Sequence, residues 1–350
     1  MKPQEFIWKT STIIRETADT VTVVFNTQGQ SFSFLPGQFI NLAILIDGAE
    51  ISRSYSLCSS PDEESPAITV KKVSGGVVSN YIVEHAEEIN SWKVDGPHGN
   101  FYLAEEQRKA HLVLIAGGSG ITPLYSILKY FLKHEQGTVT LLYSSREKDD
   151  MIFYRTLKHL TYLYTDRLVS HFFFTATEEI SNDDEEHHYT GRMTSLRLKR
   201  LIKQIWRRAE NTHFYLCGPE GLLQLSERAL NDLGIDSAFI HKEYFLPTSR
   251  SFSQVELPAI AQKVVLNNRE QRSLLQVQPG NTILEAALEE KIGVPYSCKA
   301  GTCGKCVAKL LGGNVHMKQN YALDKELLNQ GYILLCQSHP LANDVTIRIG

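Results

Sequence analysis

The sequence predicts a three-domain protein: an all-β unit, then a doubly wound α/β unit, then an α+β unit. Three observations carry this. The chain has 350 residues, more than one hydrophobic core commonly serves. Its rhythm changes twice, from short β-branched runs to strands alternating with helices, and then, past a Ser- and Pro-rich stretch, to a mixture of the two. Four of the six cysteines fall in that last stretch, three of them within nine residues.

Residues 1–108 read as all-β. Apolar runs recur at 6–14, 20–25, 39–45, 54–57 and 67–73, broken by turns such as Pro36-Gly37 and Asp47-Gly48. That spacing suits a barrel or sandwich. One helix is expected over 78–86, where Tyr81, Ile82 and His85 share a face. Residues 109–246 alternate: strands near 111–116, 138–143, 168–174, 213–216 and 238–242, helices near 124–132, 152–162, 196–205 and 222–233. This pattern predicts a parallel sheet covered on both faces. The acidic run 178–188 lacks periodicity and reads as a solvated loop. Residues 247–260, PTSRSFSQVELPAI, read as a linker. Residues 261–350 carry strands at 263–266, 274–277, 307–311 and 345–349, and a helix at 283–290.

Composition narrows the function. Hydrophobic residues make up 42% and charged residues 21%, enough for packed cores. Lys plus Arg number 36 against 39 Asp plus Glu, which excludes a surface built to coat nucleic acid. No apolar stretch is long enough to span a bilayer, and the N-terminus lacks the apolar core of a signal peptide. Together with free-thiol usage, this leads us to expect a cytoplasmic protein.

The cysteines carry the sharpest chemistry. Cys298, Cys303, Cys306 and Cys336 follow C-x4-C-x2-C…C, the spacing of a plant-type [2Fe–2S] cluster. Two irons need four thiolates, and the loop must wrap closely around the sulfides. Gly301 and Gly304 allow that approach. A structural zinc site favours two C-x2-C knuckles, and only one is present.

Other motifs come in order. Arg53-Ser54-Tyr55-Ser56 ends a strand. An aromatic ring there can stack on a flavin, a Ser can hydrogen-bond its ring, and an Arg can pair with phosphate. Gly75-Gly76-Val77-Val78-Ser79 opens a helix, a natural pyrophosphate site. Gly96-Pro97-His98-Gly99-Asn100-Phe101 follows. Then Gly117-Gly118-Ser119-Gly120-Ile121-Thr122-Pro123 lies between a strand and a helix, where glycines let backbone approach a dinucleotide. Cys217-Gly218-Pro219 ends a later strand, and Glu243-Tyr244-Phe245 closes the second domain.

This ordered set resembles the ferredoxin–NADP reductase superfamily. With the C-terminal unit, it is similar to reductase components of bacterial ring-hydroxylating or epoxidising oxygenases. The resemblance covers essentially the whole chain. It implies an FAD-binding β-barrel at 1–108, a NAD(P)-binding domain at 109–246, a linker at 247–260 and a β-grasp ferredoxin domain at 261–350. It places Arg53, Tyr55, Ser56, Lys71, Val73, Gly75, Gly76 and Ser79 on the flavin. It places Gly117, Gly118, Gly120, Thr122, Pro123, Gly218 and Pro219 on the dinucleotide, and Ser56, Cys217 and Phe245 at the hydride-transfer centre. Ser145 and Arg146, at the end of the second strand, suit a 2′-phosphate. NADPH is therefore expected before NADH, although Glu147, Asp149 and Asp150 follow at once and Thr175-Ala176-Thr177 stands where a second Arg is expected. The implied activity is electron transfer from NAD(P)H through FAD and the cluster to a separate metalloprotein, an oxygenase component. A desaturase or hybrid-cluster protein as acceptor, or a redox-sensing module without turnover, are the alternatives.

Overall fold

The computed structural model describes residues 4–176, 187–206, 211–245, 255–268, 271–323 and 325–349. The chain forms two compact units, Met1–Phe245 and Leu246–Gly350. Residues 178–186 of the acidic run, Thr177, and residues 247–254 of the expected linker lie outside the described residues.

The first unit opens with β1 (Gln4–Thr17), β2 (Thr20–Asn26), β3 (Phe39–Ile46), β4 (Ala49–Ser56), β5 (Ala67–Lys71), α1 (Val77–His85) and β6 (Ser91–His98). The strands form one antiparallel sheet in the order β4-β3-β6-β1-β2-β5. Its two ends meet where Leu57 bridges Ile68 and the Cys58 amide bonds the Ala67 carbonyl at 2.8 Å. The sheet is thereby a barrel, which leaves few unpaired edges. Trp8, Phe25 and Trp92 are fully buried inside it. Their rings pack at centroid distances of 5.3 and 5.8 Å.

The same unit continues with β7 (His111–Gly117), α2 (Ile121–His134), β8 (Thr138–Ser145), α3 (Tyr154–Leu163), β9 (Leu168–Phe174), β10 (His188–Thr190), α4 (Ser195–Trp206), β11 (Thr212–Cys217), α5 (Glu220–Asp232) and β12 (Ile240–Glu243). These strands are all parallel, in the order β10-β9-β8-β7-β11-β12. Alternation along β7 explains its double burial. Leu112, Leu114 and Ala116 join one apolar cluster, while Val113 and Ile115 join another, as period-two geometry requires of a sheet covered on both faces. The chain runs outward from β7 to β10, then returns to lay β11 on the other side of β7. That reversal makes a crevice at the carboxyl ends of β7 and β11.

Barrel and sheet pack as one body. Cys58, Ala67, Phe101 and Leu103 from the barrel side belong to the same cluster as Leu112, Leu124 and Ile127. Ser126 on α2 donates to the Ser59 carbonyl at 2.6 Å, and Lys129 and Lys133 pair with Glu63 and Asp62. The Phe153 amide hydrogen-bonds the Glu16 carboxylate of β1. Phe153 itself sits at φ +62°, and this left-handed residue starts α3 two residues later than the periodicity suggests. Buried Gln107 ties the connection between the two parts. Its carbonyl accepts from the Tyr215 hydroxyl, and its amide nitrogen lies 3.1 Å from both His213 and His241.

The second unit contains β13 (Gln262–Asn268), β14 (Gln271–Val277), α6 (Ile283–Glu289), β15 (Val307–Gly312), β16 (Val315–Met317), α7 (Lys325–Asn329), β17 (Tyr332–Leu334), β18 (Ser338–Pro340) and β19 (Val345–Ile349). A mixed sheet in the order β14-β13-β19-β15-β17 packs on α6, and β16 pairs with β18. Thr282 and Glu285 form a capping box at the start of α6, satisfying two orphan backbone donors. No described helix is long and apolar enough to cross a membrane.

Trp8→Ala removes one of the two largest fully buried side chains of the barrel. Thermal or denaturant unfolding should show a loss of about 3–5 kcal/mol, the usual scale for a buried Trp.

Candidate functional site

Strand β4 sets out the first group of side chains by alternation. Arg53 and Tyr55 pair with Leu42 and Ile40 of β3. Arg53 is exposed and Tyr55 half-buried. Burial pushes the Tyr55 phenol above its ordinary range, so it is a neutral ring suited to stacking. Ser56 is buried, and its hydroxyl donates to Glu243 Oε2 at 3.1 Å.

Glu243 was not expected as a site residue. Parallel pairing of β11 with β12 sets it beside Cys217, and the barrel brings Ser56 to it. Three chain segments thus meet at one point. Burial pushes the Glu243 carboxyl up to about 8, only partly offset by the Ser56 hydrogen bond. Burial, and then the neighbouring Glu243, push the Cys217 thiol well up. At neutral pH Cys217 is therefore a neutral thiol rather than a thiolate nucleophile. Phe245, two residues beyond Glu243, is 36% exposed.

The Gly75-Gly76 turn leads into α1. Gly75 has φ +71° with open space around it. The first turn of α1 has no side-chain cap and no acid, leaving its amides for an anionic ligand. Buried Ser79 accepts from the Val73 amide at 3.3 Å, which closes the turn. Val73 lies beyond β5 and is exposed. Lys71, expected on the flavin, has its ammonium 3.0 Å from Asp19.

Gly117, Gly118 and Gly120 form the turn from β7 to α2. Gly118 has φ +52° and open space, and no acid or side-chain cap occupies the start of the turn. A Cβ on Gly120 would overlap the Cys217 carbonyl, and one on Gly218 would overlap the Gly117 backbone. The two turns therefore approach backbone to backbone, with the Pro219 and Leu222 side chains closing on Gly117. Thr122 and Pro123 are buried in α2, with the Thr122 hydroxyl donating to the Ser119 carbonyl at 3.0 Å. Pro219 precedes α5. Ser145 is buried at the end of β8, while Arg146 is exposed beside it.

In the second unit the cysteines meet in pairs. Cys298 hydrogen-bonds Cys303, and Cys306 hydrogen-bonds Cys336. Backbone amides of Ala300 and Cys303 point at Cys298 Sγ, at 3.3 and 3.4 Å. Gly301 and Gly304 both take left-handed φ. Among the described residues no three His, Cys, Asp or Glu side chains converge on one ion position. Three cysteines on the 298–306 loop and Cys336 after β17, meeting in two pairs, supply the four thiolates a [2Fe–2S] cluster would need.

The geometry yields two expectations. Gly120→Ala should cost about 1–3 kcal/mol of stability through overpacking, read by thermal unfolding, and should weaken nucleotide binding with it. Glu243 in the flavin-free protein keeps a proton that the unfolded chain releases near 4.5. Stability should therefore fall as pH rises from 4.5 to about 8, and be insensitive to this group below that window. Unfolding midpoints across pH should show the slope in the wild type and its loss in Glu243→Gln.

Three family models match the chain in order: an oxidoreductase FAD-binding domain over residues 9–102, an oxidoreductase NAD-binding domain over 114–228, and a 2Fe-2S iron-sulfur cluster binding domain over 266–341. The chain is 33% identical over 339 residues to the E subunit of 1,2-phenylacetyl-CoA epoxidase from Escherichia coli (strain K12), covering 95% of this chain and 94% of that protein. It is 30% identical over 350 residues to the ferredoxin reductase component of 3-ketosteroid-9-alpha-monooxygenase from Rhodococcus rhodochrous, covering 96% and 95%. Phthalate dioxygenase reductase shares the fold, with a TM-score of 0.63 at 20% identity over 99% of this chain and 98% of that one. The chain therefore belongs to the family of reductase components of oxygenase systems, oxidoreductases that carry electrons from NAD(P)H through FAD to a [2Fe–2S] centre.

Proposed function

We propose that this reductase serves an oxygenase of the kind to which phenylacetyl-CoA epoxidase belongs, with NADPH as its electron donor. The observation that carries the proposal is the likeness to the reductase of that epoxidase along nearly the full length of both chains. The domains are taken as 1–108 for the flavin, 109–246 for the nucleotide, 247–260 as linker and 261–350 for the cluster.

The residues divide the work as follows. Arg53, Tyr55 and Ser56 hold the flavin ring and phosphates, with the open turn at Gly75, Gly76 and Ser79 receiving the pyrophosphate. Gly117, Gly118, Gly120, Thr122 and Pro123 cradle the nicotinamide dinucleotide, with Gly218 and Pro219 closing the crevice. Ser145 and Arg146 take the 2′-phosphate. Ser56, Cys217 and Phe245 line the place where hydride moves. Glu243 holds a proton at its carboxyl there and lends Ser56 a fixed acceptor. Cys298, Cys303, Cys306 and Cys336 hold the cluster. When bound, FAD supplies the exchange between a two-electron donor and one-electron acceptors.

Three measurements test this reading. Purified oxygenase subunits of a phenylacetyl-CoA epoxidase, lacking their own reductase, should epoxidise phenylacetyl-CoA when given this protein and NADPH. An active oxygenase preparation that stays silent would refute the acceptor assignment. Cys303→Ser should abolish that turnover while ferricyanide reduction by NADPH persists. For the donor, Arg146→Ala should raise KM for NADPH by about ten- to hundredfold and leave NADH nearly unchanged, the scale of one charge-assisted contact.

A further inference from the structure

We propose that the face of the second unit around the cysteine loop is a cationic docking surface for a protein acceptor whose own surface is acidic. This rests on the reading above, in which electrons leave through that unit to a separate protein.

Two segments form the face. Residues 296–306 carry the cysteine loop, and residues 316–323 run along it. Between them they hold Lys299, Lys305 and Lys318 and no Asp or Glu. The segments are joined directly, since the Tyr321 amide donates to the Gly301 carbonyl at 3.0 Å. They are also joined through Gln337, which is buried and follows Cys336. Its side-chain amide donates to the Lys299 carbonyl at 3.0 Å, and its backbone carbonyl accepts from the Lys318 amide at 2.8 Å. One buried residue next to a cluster ligand thus fixes the backbone of both lysines. Lys299 and Lys318 are exposed.

Lys299 has φ +55°, a left-handed conformation that glycine adopts with least strain. Its ammonium lies 5.1 Å over the Tyr296 ring. Lys305, half-buried, stands between Cys303 and Cys306. Glu285 is near enough to feel Lys299, and its carboxylate is engaged in the capping box of α6. Residues 261–350 as a whole carry ten Lys and Arg against seven Asp and Glu, although the complete chain has a net charge of -3. A one-sign rim around an electron exit raises encounter rates with a partner of opposite sign, and salt screens it over about 10 Å at 0.1 M.

The test uses the full-length, FAD- and cluster-loaded protein and two haem proteins of opposite charge. Soluble cytochrome b5 is the acidic probe and cytochrome c the basic one, with ferricyanide as control. At low salt the double variant Lys299→Glu/Lys318→Glu should reduce cytochrome b5 about tenfold more slowly than wild type and reduce cytochrome c faster, the range electrostatic steering spans. Added salt should slow wild-type reduction of cytochrome b5 and erase the difference. Ferricyanide reduction and the cluster absorbance should not change. Should the reversed protein fail to retain its cluster, the neutral pair Lys299→Gln/Lys318→Gln serves instead, with an effect of the same sign. Equal rates of variant and wild type with both haem proteins would overturn the docking surface and leave the relay intact. A wild type that reduces ferricyanide but neither haem protein would overturn the relay, and this surface with it.

Discussion

The crevice depends on one close approach of backbone to backbone. Gly120 rests on the carbonyl of Cys217, and Gly218 rests on Gly117. No side chain larger than hydrogen fits between them. Because the turns touch, the carboxyl ends of β7 and β11 share one crevice, and the uncapped start of the helix that follows β7 opens into it. Parallel pairing then carries Glu243 to Cys217. The shared apolar cluster under the barrel carries Ser56 to Glu243. On the reading proposed above, hydride transfer at this junction needs placement within a fraction of an ångström, and Ser56, Cys217 and Glu243 all stand on strands.

The two units differ in how they handle charge. At the Ser56–Cys217–Glu243 junction, burial keeps both titratable groups neutral near pH 7. On the reading proposed above, an uncharged wall suits a site where a reduced, uncharged nicotinamide stacks on a flavin ring without water. Around the cysteine loop Lys299 and Lys318 are cationic and exposed. The first arrangement suits a small ligand enclosed in a crevice, the second a large partner met in solution.

Much of this was legible in the sequence because the demands are local. A loop that wraps two irons needs four cysteines at fixed spacing and glycines at left-handed positions, and Gly301 and Gly304 take up those conformations. Glycine turns between a strand and a helix are similarly self-announcing, as Gly75 and Gly118 show. Glu243 was not legible. It is a single acid on a short strand, and its meaning comes from Ser56, 187 residues away. The one available signal was an acid directly after the expected strand 238–242. Nor was the Asp19 partner of Lys71 legible, since it lies 52 residues earlier in the chain. The short strands β10, β16, β17 and β18 and the one-turn helix α7 were invisible to periodicity, being three to five residues long.

This arrangement makes an ordered relay, with electrons entering through the first unit and leaving from the cluster of the second. Rapid mixing of the anaerobic protein with NADPH, followed by absorbance and by freeze-quench electron paramagnetic resonance, tests it most directly. Flavin absorbance should fall first, and the signal of a reduced [2Fe–2S] cluster should grow in afterwards, at a rate no faster than the flavin change. A protein whose flavin bleaches fully while the cluster signal never appears would contradict it.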